Sequence, residues 1–211
     1  EDGEEKGIGA FIAEKGMDGL RVGEPENKMG WKGSDTRSVY FEEMFIPTKN
    51  VLGNPSKGFK QFLRTLTGGR ITIGALALGT AQGAYERALR YSQERKAFGR
   101  KINKFQGISF KIADMATSIQ ASKHLVYHAA YKKDNGEDVI REAAMAKLFS
   151  SEMCMRVTTE AIQIFGGYGY IKEYDVERFF RDSKILEIGE GTSEVQRIII
   201  SRDILNSISP L

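Results

Sequence analysis

Residues 105–136 read FQGISFKIADMATSIQASKHLVYHAAYKKDNG. Ile108, Ile112, Met115, Ile119, Ser122, Val126 and Ala129 recur at alternating four- and three-residue steps. That stepping is one face of a long helix, sustained for about three heptads. Asn135-Gly136 is its stop signal, because Gly takes the left-handed conformation that closes a helix. Working outward, Ile71, Ala75, Leu78, Gln82, Tyr85 and Leu89 repeat the stepping on an earlier helix that starts near Pro55. Gly74, Gly79 and Gly83 lower its helix propensity but let another backbone approach. A third helix runs from about Asp138 to Phe165, with Ile140, Ala144 and Leu148 on one row and Met145, Phe149 and Met153 on the next. Gly166-Gly167 ends it. Shorter helices follow at about 176–185 and 193–205. Long helices joined by short loops give a mainly α chain, an antiparallel up-and-down helix bundle.

Residues 1–54 have a different texture. Short apolar runs at 8–13, 20–22 and 38–46 alternate with Gly-rich turns, and Pro47 closes the last of them. So few strands do not make an independent sheet. The bundle is thus expected over 55–211, preceded over 1–54 by a partial β-sheet segment of a domain whose other strands lie elsewhere. The sequence opens without Met in a polar loop, and reads as an incomplete fragment of a longer protein.

With 41% hydrophobic and 28% charged residues, the 211-residue chain is globular rather than disordered. A net charge of +3 from 31 basic and 28 acidic residues gives no ground for nucleic-acid binding. The lone Cys154 excludes an intrachain disulfide and reads as a buried small hydrophobe in a reducing compartment. No apolar run approaches the roughly 20 residues of a membrane span. His124 and His128 are an i, i+4 pair without a third ligand, so no metal site is expected. These features favour a cytoplasmic protein, or a mitochondrial matrix protein in a eukaryote.

Four stretches carry chemistry. Residues 181–197, RDSKILEIGEGTSEVQR, set Glu190 between Gly189 and Gly191. The flanking glycines leave room for a ligand beside a carboxylate. Ser193 and Gln196 have capping-box spacing, which places a helix N-terminus directly behind. Glu187 and Glu194 lie close by, and spacing does not choose among the three. Residues 94–106, ERKAFGRKINKFQ, join two helices with clustered cations and two aromatics, a composition suited to a diphosphate and a stacking surface. Residues 163–170, QIFGGYGY, put three glycines at a helix end, and residues 67–70, TGGR, put two glycines before an Arg inside a helix.

Taken together, these motifs resemble the acyl-CoA dehydrogenases, flavoenzymes that desaturate acyl-CoA thioesters. The resemblance runs from about residue 7 to 207. FIAEKGMDGLRVG and KMGWKGSDTRSVYFEEMFIP are similar to the second half of that family's middle β domain. The resemblance implies FAD held between subunits of a homo-oligomer, a dimer or homotetramer formed through the bundle. Arg95, Phe98 and Gln106 would contact the FAD of a neighbouring subunit. Gln163, Ile164, Phe165, Gly166 and Gly167 would run along its adenosine-diphosphate part, and Thr192, Ser193 and Glu194 would complete the site. Thr67 and Arg70 would approach the acyl-CoA substrate, with Gly191 near the thioester. Glu190 matches the catalytic base, which removes the α-proton while hydride passes to flavin N5 and electrons go on to an electron-transfer flavoprotein. One branch of the family carries its base one residue before the Arg, and that position here is Gly69. Two departures stand out: Thr67 replaces a common Asp, and Gly189 replaces a common Tyr. The resemblance leaves an acyl-CoA oxidase-like flavoenzyme and a non-catalytic assembly module as alternatives. It also implies that the fragment alone is inactive, with residues 1–54 loosely held.

Overall fold

The computed structural model describes residues 7–207. Two compact units divide between Leu66 and Thr67. In the first, strand β1 (Leu20–Pro25) pairs antiparallel with β2 (Arg37–Phe41), in the register Leu20↔Phe41 and Val22↔Val39. The expected strand over 38–46 ends at Phe41, because Glu43 turns into the left-handed region at φ 47°. The run at 8–13 is not a strand of this sheet. It forms an isolated bridge from Phe11 to Val51, closed by Ile12 N–H to Asn50 O and Leu52 N–H to Ala10 O. A two-stranded sheet buries little: Val22 and Val39 are half exposed, and Phe41 is 63% exposed.

Helix α1 (Gly58–Glu94) continues into the second unit. Its buried row there is Ile71, Gly74, Ala77, Ala81, Ala84, Ala88 and Ser92, displaced from the row of larger side chains that the periodicity picks out. Ala75 is exposed, and Leu78, Gln82, Tyr85 and Leu89 are half-buried. Small residues win this face because another backbone is close: a Cβ at Gly74 would lie 3.3 Å from the Ala146 carbonyl oxygen. At Gly83 an added Cβ would instead lie 2.9 Å from the Phe179 ring, and at Gly79 it would meet open space.

Strands β3 (Lys96–Ala97) and β4 (Arg100–Lys101) then form a tight hairpin. Phe98 (φ 49°) and Gly99 (φ 78°) are both left-handed, the conformation of a two-residue turn matched to strand twist. Helix α2 (Gln106–Asp134) buries Met115, Ile119, Ser122, Val126 and Ala129, the row read from the sequence. It stops where expected, with Gly136 at φ 77° and the N–H groups of Gly136 and Glu137 returned to Lys133 and Lys132 carbonyls.

Helix α3 (Ile140–Phe165) is buried on several sides and packs against α2, α4 (Val176–Ser183) and α5 (Ser193–Ser207). A helix buried all round is the centre of its bundle. Ile71, Val126, Ala129, Val139, Ala143 and Ala146 knit α1, α2 and α3 into one apolar cluster. Buried hydroxyl pairs continue the joints: Ser122 with Ser150 at 2.7 Å, and Thr158 with Ser183 at 3.2 Å. Arg197–Glu152 (2.7 Å) and Arg141–Asp203 (3.2 Å) pin α5 to α3. The architecture is the expected up-and-down helix bundle preceded by a small antiparallel sheet. Among the described residues no helix is long and apolar enough to cross a membrane.

Candidate active site

After α4 the chain tightens into a 3-10 turn at Lys184–Glu187, anchored by Leu186, which is 1% exposed. The N–H groups of Ile188 and Gly189 both fall on the Ile185 carbonyl. Glu190 then adopts φ 56° and Gly191 φ 91°, two successive left-handed residues. For a residue with a Cβ that conformation costs about 1 kcal/mol or more, so the turn has to be held. Two fully buried side chains hold it. Lys147 Nζ donates to the Gly191 carbonyl at 2.8 Å. Gln196 Nε2 donates to the same oxygen at 2.9 Å and to the Glu190 carbonyl at 3.3 Å.

The start of α5 differs from the expected capping box. Thr192 is the cap: its carbonyl accepts from Gln196 N–H at 3.0 Å and its hydroxyl from Val195 N–H at 3.4 Å. Ser193 is one residue inside the helix, its Oγ buried without a partner. With Thr192 as the cap, Gln196 lies one residue beyond the capping-box position, and its Nε2 is turned to the Glu190 and Gly191 carbonyls instead.

The three neighbouring carboxylates have different surroundings. Glu187 pairs with Lys184 at 2.5 Å. The Glu194 carboxyl is held below the usual carboxylate range, chiefly by its own backbone N–H and by the Thr192 hydroxyl. Glu190 makes no ion pair among the described residues. Its carboxylate lies over Gly69 on α1, where an added Cβ would meet Oε2 at 2.6 Å. Arg70, next along α1, is 6% exposed, and among the described residues its Nε has no partner. Burial pushes its guanidinium pKa down, and the nearby Glu190 charge works the other way. Thr67 sits half-buried one turn before Arg70. Among the described residues, four buried side-chain N or O atoms lack a partner, and three belong to this region: Arg70 Nε, Ser193 Oγ and Gln196 Oε1. The Glu190 N–H also donates to no acceptor among the described residues.

The remaining candidate residues gather elsewhere. Arg95, Tyr91, Ile102 and residues 164–168 line a cavity of about 300 Å³. Tyr91 stacks on Phe165 at 4.1 Å, and the Arg95 guanidinium lies 5.5 Å from the centre of the Tyr168 ring. Phe98, at the hairpin tip, is 94% exposed and touches Phe105 edge-on at 6.1 Å. Gln106 and Gln163 are exposed nearby in sequence. The glycines at the end of α3 divide their work. Gly166 caps the helix at a positive φ of 61°, and Gly169 permits a close approach, since an added Cβ would lie 2.6 Å from Ile162 O. Gly167 meets nothing within 4 Å and leaves its face open. Lys147 and Ile164 are 17 positions apart on α3, which separates the two groups by about 25 Å at the helical rise.

Lys147 was not singled out from the sequence. The available signal was its place on a row of small buried residues, Ala143, Ser150 and Cys154, where a Lys is out of character.

A model of the acyl-CoA dehydrogenase C-terminal domain matches residues 56–205. The probable acyl-CoA dehydrogenase YngJ of Bacillus subtilis is 52% identical over 198 residues, covering 94% of this chain and 52% of that protein. The caffeyl-CoA reductase–Etf complex subunit CarC of Acetobacterium woodii is 46% identical over 200 residues, covering 95% of this chain and 53% of that protein. The structure of butyryl-CoA dehydrogenase from Megasphaera elsdenii matches with a TM-score of 0.92 at 49% identity, over 95% of this chain and 52% of that one. The chain therefore spans about half the length of these relatives. With the helical bundle, the Gly-flanked turn and the family match in agreement, the chain belongs to the acyl-CoA dehydrogenase family, of which it carries the C-terminal domain.

Proposed function

We propose that a protein carrying this chain within the length of its relatives dehydrogenates an acyl-CoA thioester at the α,β bond, with FAD as cofactor and Glu190 as base. The observation that carries this is the placement of the Glu190 carboxylate: without an ion pair, over a glycine, beside a buried arginine. Glu190 takes the proton α to the thioester. Charge then grows on the thioester oxygen, and the uncommitted Glu190 N–H is a fixed donor for it. Arg70 brings a buried positive charge to the same place, and its Nε has no partner among the described residues. Gly191 serves the turn itself: at φ 91° a Cβ there would meet Gln196 Nε2 at 2.8 Å.

FAD, when bound, supplies the acceptor for the hydride that leaves the β carbon. The residues present fit it. Arg95 offers a cation, Gly166 and Gly167 an open backbone edge, and Phe98 an exposed ring, a donor set suited to a diphosphate and a flat heterocycle. Gln106, Gln163, Ile164 and Phe165 extend that group. Ser193 Oγ is the unengaged hydroxyl of the other, where Thr192 and Glu194 also lie. The separation along α3 supports a cofactor site shared between two copies of the chain. The CarC relative is named as part of an Etf complex, which supports an electron-transfer flavoprotein as the redox partner. Its reductase name also supports the reverse reaction at the same bond under a different driving potential.

The test is an anaerobic titration of the full-length protein with acyl-CoA thioesters of graded length, followed by the flavin spectrum. Bleaching with at least one chain length is expected, and none with any would sink the proposal. Glu190→Gln is expected to bind the same thioester without bleaching. Peroxide release in air at the turnover rate would move the acceptor from a flavoprotein to oxygen.

A further inference from the structure

We propose that Lys147 is a positioning residue for Glu190: its buried amine grips the Gly191 carbonyl and so holds Glu190 in the left-handed conformation that lays its carboxylate over Gly69. The inference rests on Glu190 acting as the base.

A lysine is rarely buried completely unless it is paired with an opposite charge. Lys147 is 0% exposed and has no carboxylate within ion-pair distance among the described residues. Its hydrogen bond goes to a backbone carbonyl, 44 residues away in sequence. A buried amine is costly unless it is hydrogen-bonded, so this arrangement is an expensive way to fasten a turn. The turn it fastens is the one that carries the candidate base, at φ 56°.

The charged groups around it come from every side. Glu152 lies on α3 itself, Glu187 on the turn after α4, Glu194 on α5 and Arg70 on α1. Burial pushes the amine pKa down, and the three carboxylates oppose that. None of the three can take over the hydrogen bond to Gly191, because a carboxylate accepts and the carbonyl needs a donor. Gln196 is the other donor, and it is already divided between two carbonyls. Without Lys147, one amide must hold two consecutive left-handed residues. The Gly191–Thr192 peptide, whose carbonyl Lys147 grips, then loses one of its two donors, and the turn with Glu190 in it can relax toward ordinary angles. A shift of about 1 Å in a reacting group can cost roughly a hundredfold in rate.

The experiment uses the full-length flavoprotein with butyryl-CoA. Three quantities are read: exchange of the α-proton into deuterated water by mass spectrometry, thioester affinity by calorimetry, and thermal unfolding. Lys147→Met keeps the apolar stem and removes the donor. It is expected to slow α-proton exchange about a hundredfold with affinity within about twofold of the parent. Lys147→Gln restores a shorter donor, and is expected to recover part of the loss. Exchange at the parent rate in Lys147→Met overturns the proposal. So does an equal slowing in both variants with affinity falling in step, which would mark general loosening. Should Lys147→Met fail to fold, Lys147→Gln decides alone. An intermediate rate at unchanged affinity supports the role, and a parental rate overturns it. Glu190→Gln is measured alongside. Continued exchange there removes the base assignment itself, whereas exchange lost there and normal in Lys147→Met removes only the positioning role.

Discussion

At the scale of single residues, Gly69 sets the clearest test of how Glu190 is placed. In mid-helix a Gly→Ala change gains up to about 1 kcal/mol of helix propensity. The new Cβ would arrive 2.6 Å from Glu190 Oε2, the end of a flexible side chain that can swing away. Gly69→Ala should therefore melt at or above the parent temperature, yet reduce its flavin at least about tenfold more slowly. Gly68→Ala is the matched control. Its Cβ would meet Lys133 Nζ at 2.6 Å, away from Glu190, so the rate should hold. Equal slowing in both variants would mean that helix strain, not the carboxylate, is being read. Cys154 gives a second residue-scale prediction. Burial pushes its thiol up to about 12, and the residue is 0% exposed. The native protein should resist a maleimide for hours and label fully once unfolded. Its burial could be read from the apolar run around it, whereas the two glycines marked Glu190 only as one of three carboxylates and the family resemblance chose among them. Lys147 left one sign, a Lys on a row of small residues, but its partner is a carbonyl 44 residues away that no local pattern encodes.

Between elements, the α2–α3 joint shows how charge closes a bundle. Lys132 lies in the last turn of α2 and Glu142 in the first turn of α3, each at the helix end whose dipole favours it. They meet at 2.9 Å. Burial pushes the Glu142 carboxyl up, but Lys132, the residue's own N–H and Arg141 together hold it below the ordinary 4.5. A depressed folded-state value stabilises above the unfolded one and is lost as pH falls through it. Glu142→Gln should thus lower Tm by a few degrees at neutral pH, with the difference shrinking below about 4.5. A difference independent of pH would assign the loss to packing instead. The existence of each long helix was legible from periodicity, as was the α2 row, of which Ile108 and Ile112 are only half-buried. The α1 row was not, because a stripe drawn through Leu and Tyr misses the Gly and Ala residues that admit the α3 backbone. The β3–β4 hairpin was hidden inside a cationic loop, where Phe98-Gly99 was the one local sign of a tight turn.

For the whole molecule, the separation of the two candidate groups decides what an assembly must do. The cavity that Arg95 and Ile164 line lies about 25 Å from the Glu190 turn along α3, and Phe98, at the hairpin tip, is 94% exposed. If each cofactor site takes its turn from one copy and its hairpin from another, defects in the two groups should complement. A Glu190→Gln protein lacks the base, and an Arg95→Ala, Phe98→Ala protein lacks the hairpin contacts. Each alone should fail, the second by losing FAD on gel filtration while keeping the parent's unfolding midpoint. In a mixed two-fold pair, one site combines both defects and the other combines both intact groups. Random re-association of equal amounts makes about half of the pairs mixed, so about a quarter of the parental rate should return. Sites built within single chains would return nothing above the sum of the two preparations. The outcome thus separates a shared cofactor site from a self-contained one, whatever thioester the enzyme prefers.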